Sequence, residues 1–233
     1  MKKSLIVSTI FILLLSLCSF ANAYSTSQYS IDIPKSWKMD TTGSFVNEDG
    51  NSVNVQITKS EWSLGDPYTQ ANLDQLVKEL YTNVDAYKEE MVQTFKESYG
   101  TYLSESEIRE YVDSFKCNSV DLSEITTCTK NNYKCFHIIA NYSMDDYSYY
   151  CNQYAIASGT EIYTVTVSAE EKEDFNDIEL KKIVDSFTIN NYKEPSGSTL
   201  SPAVIGGIVG AAVGAGVGIA AYIKNKNKNR TDL

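Results

Sequence analysis

The sequence predicts an α+β domain, an antiparallel sheet sandwiched between helices, followed by one C-terminal transmembrane helix. Three observations predict this fold class. Short alternating strands are separated by tight turns, as in antiparallel sheets. Two stretches with apolar residues three and four positions apart indicate amphipathic helices. The strand at 135–140 is apolar on both faces, which requires packing partners on both sides of the sheet.

The N-terminus has the three parts of a secretory signal peptide. A basic start is followed by an apolar run from Leu5 to Cys18 and by an Ala-x-Ala pattern that ends at Ala23. We expect cleavage after Ala23, which removes residues 1–23. A lipoprotein signal is disfavoured because Leu17 stands where a small residue must precede the modified cysteine.

Two strands and a long helix are predicted at the start of the mature chain. Residues 29–33 and 53–57 alternate between apolar and polar side chains, which is typical of half-buried strands. Apolar residues then recur three and four positions apart over 73–95, which indicates one core-facing stripe on a helix. The members of this stripe are Leu73, Leu76, Val77, Leu80, Val84, Tyr87, Met91 and Phe95.

A second helix and a run of strands follow. Ser104 and Glu107 have the spacing of a capping box, which predicts a helix start at this point. The residues expected to face the core from this helix are Ile108, Tyr111, Val112 and Phe115. Four strands joined by turns rich in Asn, Asp and Gly are predicted near 118–128, 133–142, 147–157 and 160–168.

A last helix closes the domain. It is predicted to start at Asn176 with Glu179 as its capping partner. The residues expected to be buried by it are Ile178, Ile183, Val184 and Phe187. We interpret the acidic run at 170–174 as a solvated lead-in, since acidic side chains favour helix N-termini. A Ca²⁺ site is the alternative, but the run lacks the spaced Asp/Asn pattern and the turn glycine of a calcium loop.

A membrane span is predicted after the domain. Residues 203–223 contain no charge and no proline, and as a helix they would extend roughly 32 Å, about one hydrocarbon core. The basic tail at 224–233 follows directly, which places the tail in the cytoplasm and the domain outside. The predicted organisation is therefore an extracytoplasmic domain over 24–194, a linker over 195–202 and a single-pass anchor in the cell membrane.

Four glycines on the predicted span are candidates for helix association: Gly206, Gly210, Gly214 and Gly218. Because they lie four positions apart, they line one side of the helix. Small residues allow a second helix to approach to backbone contact. We expect a homodimer through this face. The alternative is that these residues only reflect the usual abundance of glycine in membrane helices.

The composition disfavours several functions. The chain has 30 acidic and 20 basic side chains, a net charge of −10 and one histidine. An acidic chain is unsuited to binding nucleic acid. The sequence contains no P-loop, dinucleotide fingerprint or Gly-x-Ser-x-Gly motif, so no catalytic residue, cofactor or metal site is predicted, and we expect no enzyme activity. The excess acidic charge indicates a solvated surface, with attraction of cations or basic partners as the alternative.

Four cysteines outside the signal peptide are disulfide candidates: Cys117, Cys128, Cys135 and Cys151. An even number in an exported domain predicts two disulfides, with three possible connectivities. The turn expected at 131–132 would bring Cys128 opposite Cys135 across a hairpin. This favours the pairs Cys128–Cys135 and Cys117–Cys151.

His137 is the histidine on the strand that is apolar on both faces. We expect a buried, hydrogen-bonded side chain rather than a catalytic base. It lies two positions after Cys135, so the two residues share a face of the strand. A Cys–His nucleophile pair is disfavoured, because a cysteine oxidised to a disulfide cannot attack a substrate. Asn141 begins an Asn-x-Ser sequence, which is a glycosylation site only in a host that glycosylates exported proteins.

The two ends of the domain resemble PsbP-like domains. Residues 29–37 read Tyr-x-Ile-x-Ile-Pro-x-x-Trp, an aromatic strand that leads into Pro-x-x-Trp, and residues 180–187 end in Ile-Val-x-Ser-Phe. The strand at 161–167 precedes this ending, as in the family. The resemblance covers residues 29–189 and implies an antiparallel sheet sandwiched between helices. The helical insert at 70–116 and the four cysteines depart from the family pattern, so only the fold is implied.

These features predict a membrane-anchored extracytoplasmic binding or scaffolding protein without evident catalysis. Export and anchoring signals surround a domain without reactive groups, and the short tail leaves any signalling to partner proteins. The alternative is an extracytoplasmic carrier of a small or lipid-like ligand, held between helices and sheet. The expected partners are the membrane, a second copy of the chain, and an unknown protein or small ligand at the outer domain.

Overall fold

The computed structural model describes residues 23–40, 43–59, 67–82, 88–89, 92–93, 96, 104–122, 126–127, 133–144 and 147–195. Nearly all of the predicted signal peptide and the whole predicted transmembrane span, with its four glycines, lie outside these residues. The basic tail, most of the linker, the turn at 131–132 and Cys128 lie outside them as well. Within the described residues no helix is long and apolar enough to cross a membrane.

The described chain contains eleven strands, three α-helices with defined bounds and one 3₁₀ helix, and it has further helical residues at 88–89, 92–93 and 96. The strands are β1 (Ala23–Ser25), β2 (Tyr29–Asp32), β3 (Lys38–Met39), β4 (Phe45–Val46), β5 (Ser52–Lys59), β6 (Lys116–Leu122), β7 (Thr126–Thr127), β8 (Lys134–Met144), β9 (Tyr147–Ser158), β10 (Glu161–Ala169) and β11 (Thr188–Ile189). The α-helices are α1 (Gln70–Thr82), α2 (Glu105–Ser114) and α3 (Ile178–Ser186), and the 3₁₀ helix is Lys172–Asn176.

Two antiparallel sheets organise these strands. The larger sheet has the order β3-β4-β5-β10-β9-β8-β6, and β7 pairs with the beginning of β8. Its long central strands are held in register, with Phe136 opposite Ala155 and Ala155 opposite Thr164. The smaller sheet, β1-β2-β11, joins the start of the domain to its end, since Tyr29 lies opposite Ile189. The predicted α+β class with antiparallel pairing is confirmed.

Both faces of the larger sheet are covered. On one face Val165 packs in a core with Ile183 of α3 and with Phe187. On the other face the Phe115 ring stacks on Tyr142, with ring centroids 5.2 Å apart, and Tyr68 packs on Phe136 at 5.1 Å. Residues of β8 therefore alternate between two apolar environments. This explains why the sequence at 135–140 is apolar without interruption.

The predicted capping box is confirmed at the start of α2. The Glu107 N–H donates to Ser104 Oγ at 3.4 Å, and the Ser104 N–H donates to Glu107 Oε2 at 2.8 Å. Of the four residues expected to face the core from this helix, three are buried: Ile108, Val112 and Phe115. The side chain of Tyr111 is outside the described part of the chain.

Three details differ from the sequence-based expectations. The last helix begins at Ile178 and is capped by Asp177, not by Asn176. Ile178 is 69% exposed, and Leu180 is buried in its place. The strand predicted at 118–128 is divided into the separate strands β6 and β7. In the region of the predicted long helix, the described residues at 70–82, 88–89, 92–93 and 96 are helical.

Candidate functional site

An open cleft lies where the turn between β4 and β5 meets the start of α3. Its volume is about 320 Å³. It is lined by Trp37, Asn47, Asp49, Asn51, Asp174, Asp177, Glu179 and Leu180. Four of these side chains are carboxylic acids and two are amides, and none of the described lysines and arginines lines the cleft. We refer to these eight residues as the acidic cleft.

The β4–β5 turn forms one wall of the acidic cleft. Asn47 Oδ1 accepts hydrogen bonds from the N–H of Asp49 at 3.1 Å and from the N–H of Asn51 at 2.8 Å. Gly50 has φ of 91°, a backbone conformation that glycine adopts without the strain of a side chain. The Asn47 side chain and Gly50 thus fix the path of the turn, which holds Asp49 at the edge of the cleft.

The N-terminus of α3 forms the opposite wall. Asp177 Oδ1 accepts hydrogen bonds from the N–H of Glu179 at 2.6 Å and from the N–H of Leu180 at 3.2 Å. A carboxylate at this position satisfies the free N–H groups of the first turn and interacts favourably with the helix dipole. Leu180 is buried in the core and anchors the turn. Asp177 therefore contributes negative charge to the cleft and is also needed for the helix start.

Trp37 forms the floor between these walls. Its side chain is 6% exposed, and its indole N–H donates to Glu179 Oε1 at 2.7 Å. The Trp37 N–H also donates to the carbonyl oxygen of Pro34 at 3.1 Å, which closes the turn after β2. The Pro-x-x-Trp motif thus positions a buried indole that holds the Glu179 carboxylate at the cleft.

The electrostatic character of the acidic cleft follows from its surroundings. Residues 170–179, which include the 3₁₀ helix and the start of α3, contain six acidic side chains and one lysine. Carboxylates gathered around a concave surface concentrate negative potential there. A lysine or arginine side chain entering the cleft would form charge-assisted hydrogen bonds, and arginine can bind a carboxylate with two parallel bonds. Among the described residues, no group of three or more His, Cys, Asp or Glu could hold a metal ion.

His137 lies outside the acidic cleft and is hydrogen-bonded, as expected. Its Nε2 is 2.7 Å from Asn152 Oδ1, and its ring stacks on Tyr154 with centroids 4.6 Å apart and planes inclined by 4°. The side chain is half-buried. Burial lowers the pKa of His137, while the Asn152 hydrogen bond and the Asp121 charge act in the opposite direction. Since Asn152 Oδ1 can only accept, the neutral ring donates its Nε2–H.

The structure describes three of the candidate cysteines. It shows no disulfide among these three, which are Cys117, Cys135 and Cys151. Cys117 lies opposite Tyr142 and Cys151 opposite Ala140, so strand β8 separates the two. Since neighbouring strands are about 4.8 Å apart, the Cα atoms are further apart than the about 7 Å that a disulfide can span. The expected Cys117–Cys151 bridge is thus not formed in this structure. The Cys128–Cys135 pair stays a prediction, but the register expected for it is wrong, because Thr126 lies opposite Cys135 in the β7–β8 ladder.

The environment of these thiols disfavours reactivity. Burial raises the pKa of Cys117 to about 11, partly offset by a hydrogen bond to the Ser119 backbone. Burial raises the pKa of Cys151 to about 12, with a smaller opposing effect from a hydrogen bond to Ser168. Cys135 has no exposed surface. The thiolate is the nucleophilic form, so Cys117 and Cys151 are unsuited to nucleophilic catalysis near neutral pH.

Asn141, the first residue of the possible glycosylation sequence, lies within β8. Its Nδ2 donates to Ser148 Oγ and to the Tyr149 carbonyl oxygen, both at 3.1 Å. Its Oδ1 accepts from Asn118 Nδ2 at 2.8 Å. A glycan on Nδ2 would remove one of these donated bonds. Attachment of a glycan at Asn141 is therefore incompatible with this hydrogen-bond pattern.

The acidic cleft was not predicted from the sequence as a site. Two of its parts had separate interpretations: Trp37 as part of a family motif and the acidic run as a helix lead-in. Neither His137 nor any of the three described cysteines lines it. The sequence signal that could have indicated the cleft was the strong excess of acidic residues over 170–179. In the folded domain this segment lies beside Asp49 of the β4–β5 turn.

Comparison with known proteins concerns the fold. No protein-family model matches the chain, and no curated protein matches it significantly. The solution structure of cyanobacterial PsbP (CyanoP) from Synechocystis is similar, with a TM-score of 0.39 and 13% identity over 74% of this chain and 94% of that chain. A PsbP structure, from the family that the sequence resembles, is thus among the solved structures with a similar fold.

Two further solved structures are similar. A crystal structure from Bacteroides thetaiotaomicron has a TM-score of 0.37 and 13% identity over 70% of this chain, and the match spans 45% of that chain. The Ran-binding protein Mog1p of Saccharomyces cerevisiae has a TM-score of 0.32 and 10% identity over 69% of this chain and 89% of that chain. At these identities the likeness concerns the fold alone.

Proposed function

We propose that this protein is a single-pass, membrane-anchored extracytoplasmic binding or scaffolding module, and that its acidic cleft receives a basic segment of a partner protein. Export and anchoring are supported by the signal-peptide pattern at 1–23 and the uncharged stretch at 203–223. The basic tail at 224–233 supports an outward orientation of the domain. The proposal includes no catalytic step.

The observation that carries the binding proposal is the arrangement of carboxylates in the acidic cleft. Asp49, Asp177 and Glu179 are each attached to a segment that internal hydrogen bonds hold in place. A preorganised charged surface loses little freedom on binding. Complementary charge also accelerates the encounter with a basic partner and disfavours acidic ones. A lysine- or arginine-containing segment is therefore the ligand that this surface fits best.

The alternative function, a carrier of a small or lipid-like ligand, receives less support from the cleft. Apolar side chains predominate in sites that enclose lipid-like molecules. Here carboxylates and amides form the walls, and the Trp37 ring is largely covered. A small organic cation is the ligand that a carrier with this cleft would accept. The tests below distinguish a peptide from a small cation.

Membrane anchoring can be tested with the full chain carrying a C-terminal epitope tag. We expect the protein to stay in the membrane pellet after alkaline carbonate extraction. Protease added to intact cells, after permeabilisation of any outer barrier, should remove the domain but leave the tag. Release by carbonate, or loss of the tag with the domain retained, would contradict the proposed topology.

Binding can be followed with the fluorescence of Trp37. The chain has two tryptophans, so a Trp62→Phe variant leaves Trp37 as the sole indole. The full-length variant in detergent would be titrated at low ionic strength with tetra-arginine amide, with tetra-glutamate and with arginine amide alone. We expect a saturable change in Trp37 emission with tetra-arginine that weakens at high salt. If arginine amide alone bound with the same affinity as tetra-arginine amide, the result would favour a carrier of small cations.

Two nearly isosteric variants test whether the cleft is responsible. Asp177→Asn keeps a side chain that caps helices well, and Glu179→Gln keeps an acceptor for the Trp37 indole. We expect the double variant to bind tetra-arginine about tenfold more weakly, as loss of close charge pairs does at interfaces. Glu110→Gln with Asp113→Asn, which removes two charges from the exposed surface of α2, is the matched control. Equal affinity in the double variant and the control would refute the proposed site.

A further inference from the structure

The chain leaves the described domain beside the turn that connects β9 and β10. The Gly159 N–H donates to the carbonyl oxygen of Lys193 at 3.0 Å, and the Lys193 N–H donates to Ser158 Oγ at 3.0 Å. Pro195, two residues later, is the last described residue. The C-terminal exit is thus tied to one particular end of the larger sheet.

The acidic cleft lies at the other end of the same sheet. Strand β10 begins at Glu161 beside the β9–β10 turn and ends at Ala169. Ser52, which follows the cleft turn, lies opposite Ser168 near the far end of β10. The 3₁₀ helix that leads into α3 starts just after Ala169. Nine extended residues span about 27 Å, so the cleft and the chain exit are separated by roughly the length of the domain.

The chain between the domain and the proposed anchor is short. Seven residues separate Pro195 from position 203, where the uncharged stretch begins. Eight peptide steps reach at most about 28 Å when fully extended. The end of the domain that carries Ser158 and Gly159 must therefore stay within that reach of the bilayer. The cleft, at the opposite end, is not so constrained.

Charge favours the same orientation. The cleft end carries the six acidic side chains of 170–179 in addition to Asp49. Anionic lipid headgroups repel acidic surfaces within a Debye length. A domain tethered at the opposite end lowers this repulsion when its acidic end points away from the membrane.

From the chain exit, the length of β10 and the charge distribution, we propose that the domain stands with the β9–β10 turn towards the membrane and the acidic cleft at its membrane-distal end. The cleft is then offered to basic segments of proteins beyond the membrane surface and not to lipid headgroups. This inference rests on the proposed membrane anchor, and it specifies the direction from which the partner approaches.

The orientation can be measured by energy transfer to the lipid surface. An azide-bearing amino acid would replace Thr160 or Glu48 in the full chain, since both are exposed and lie at opposite ends of the sheet. Each variant would be coupled to the same donor dye and reconstituted in vesicles that contain acceptor-labelled headgroup lipid. For a separation of about 27 Å we expect transfer from position 160 to exceed that from position 48 by at least about twofold.

The possible outcomes distinguish a failure of the proposed orientation from a failure of the proposed membrane anchor. Carbonate extraction of the same vesicles reports anchoring, and loss of the protein from the membrane would overturn both. Retention with equal transfer from the two positions, or with stronger transfer from position 48, would overturn the orientation alone. Retention with the expected difference supports it. A higher fraction of anionic lipid should increase the difference in energy transfer between positions 160 and 48 at low salt. A smaller difference would contradict the contribution of charge.

Discussion

The indole N–H of Trp37 donates a hydrogen bond to the Glu179 carboxylate at a distance of 2.7 Å. This bond joins the segment after β2 to the first turn of α3, which lie 142 positions apart in the chain. The indole is buried in the core, whereas the carboxylate lines the acidic cleft. One interaction thus contributes to the packing of the domain and to the shape of its candidate binding surface.

Removal of the Glu179 carboxylate should destabilise the domain through Trp37. In Glu179→Ala the buried indole N–H loses its acceptor, and we expect the free energy of unfolding to fall by about 1–3 kcal/mol. Glu179→Gln keeps an acceptor oxygen and should lose less than half of that amount. Urea unfolding of the two variants, followed by circular dichroism, measures both values. Equal stability of the two variants would show that the hydrogen bond contributes little.

Ile178 and Leu180 form a second test, because the sequence and the structure differ on which of them faces the core. Ile178 is 69% exposed, while Leu180 is 3% exposed. Leu180→Ala leaves a cavity and should lower the free energy of unfolding by about 2–5 kcal/mol. Ile178→Ala should change it by no more than about 0.5 kcal/mol, as for most surface substitutions. A larger loss in Ile178→Ala than in Leu180→Ala would reverse the assignment, as judged by urea midpoints under identical conditions.

The starts of α2 and α3 differ in how well they could be predicted from the sequence. At α2 the Ser104–Glu107 capping box could be predicted because both partners lie within one turn of the chain. At α3 two neighbouring residues, Asn176 and Asp177, are both suitable caps. The 3₁₀ helix before α3 decides between them, since the Asp177 N–H donates to the Asp174 carbonyl oxygen at 2.9 Å and starts the helix one residue later. Leu180 lies three and four positions before Ile183 and Val184, so it shares their buried face of the helix. Ile178 lies on the opposite, exposed side.

The acidic cleft could not be predicted in this way. Its walls come from the β4–β5 turn and from the start of α3. They meet because Ser52 on β5 pairs with Ser168 on β10, a contact between residues 116 positions apart. Periodicity indicates which face of a strand is buried, but it does not indicate which strands are neighbours. The composition of 170–179 indicated negative charge, and only the strand order shows which turn lies beside it.

The Tyr68 hydroxyl accepts a backbone hydrogen bond from β9 beyond the point where the β8–β9 ladder ends. The ladder between the two strands begins at the Phe136–Ala155 pair, and the Ala157 N–H donates to Tyr68 Oη at 2.6 Å. Tyr68→Phe keeps the ring contact with Phe136 but leaves this buried N–H without its acceptor. We expect a loss of about 1–3 kcal/mol in the free energy of unfolding. Faster amide exchange at Ala157 should accompany it, and unchanged stability and exchange would contradict the assigned role.

His137 should make the stability of the domain dependent on pH in the mildly acidic range. Burial lowers its pKa in the folded state below the ordinary value of about 6.5. Above that value the ring is neutral in both states and contributes no dependence. As the pH falls below about 6.5, the unfolded chain binds a proton that the folded domain does not, so stability decreases until the folded-state pKa is passed. We therefore expect a lower urea midpoint at pH 5.5 than at pH 7.5.

A His137→Gln variant isolates this contribution. Loss of the stack on Tyr154 can lower its stability at every pH, so the quantity to compare is the difference between the midpoints at the two pH values. We expect most of that difference to disappear, because glutamine does not titrate. Arg109 lowers the pKa of the exposed Glu89, and Lys96 lowers the pKa of the exposed Glu105. Any stability that these carboxylates give the domain is therefore lost only at more acidic pH. A full pH difference retained in His137→Gln would assign the effect to another group.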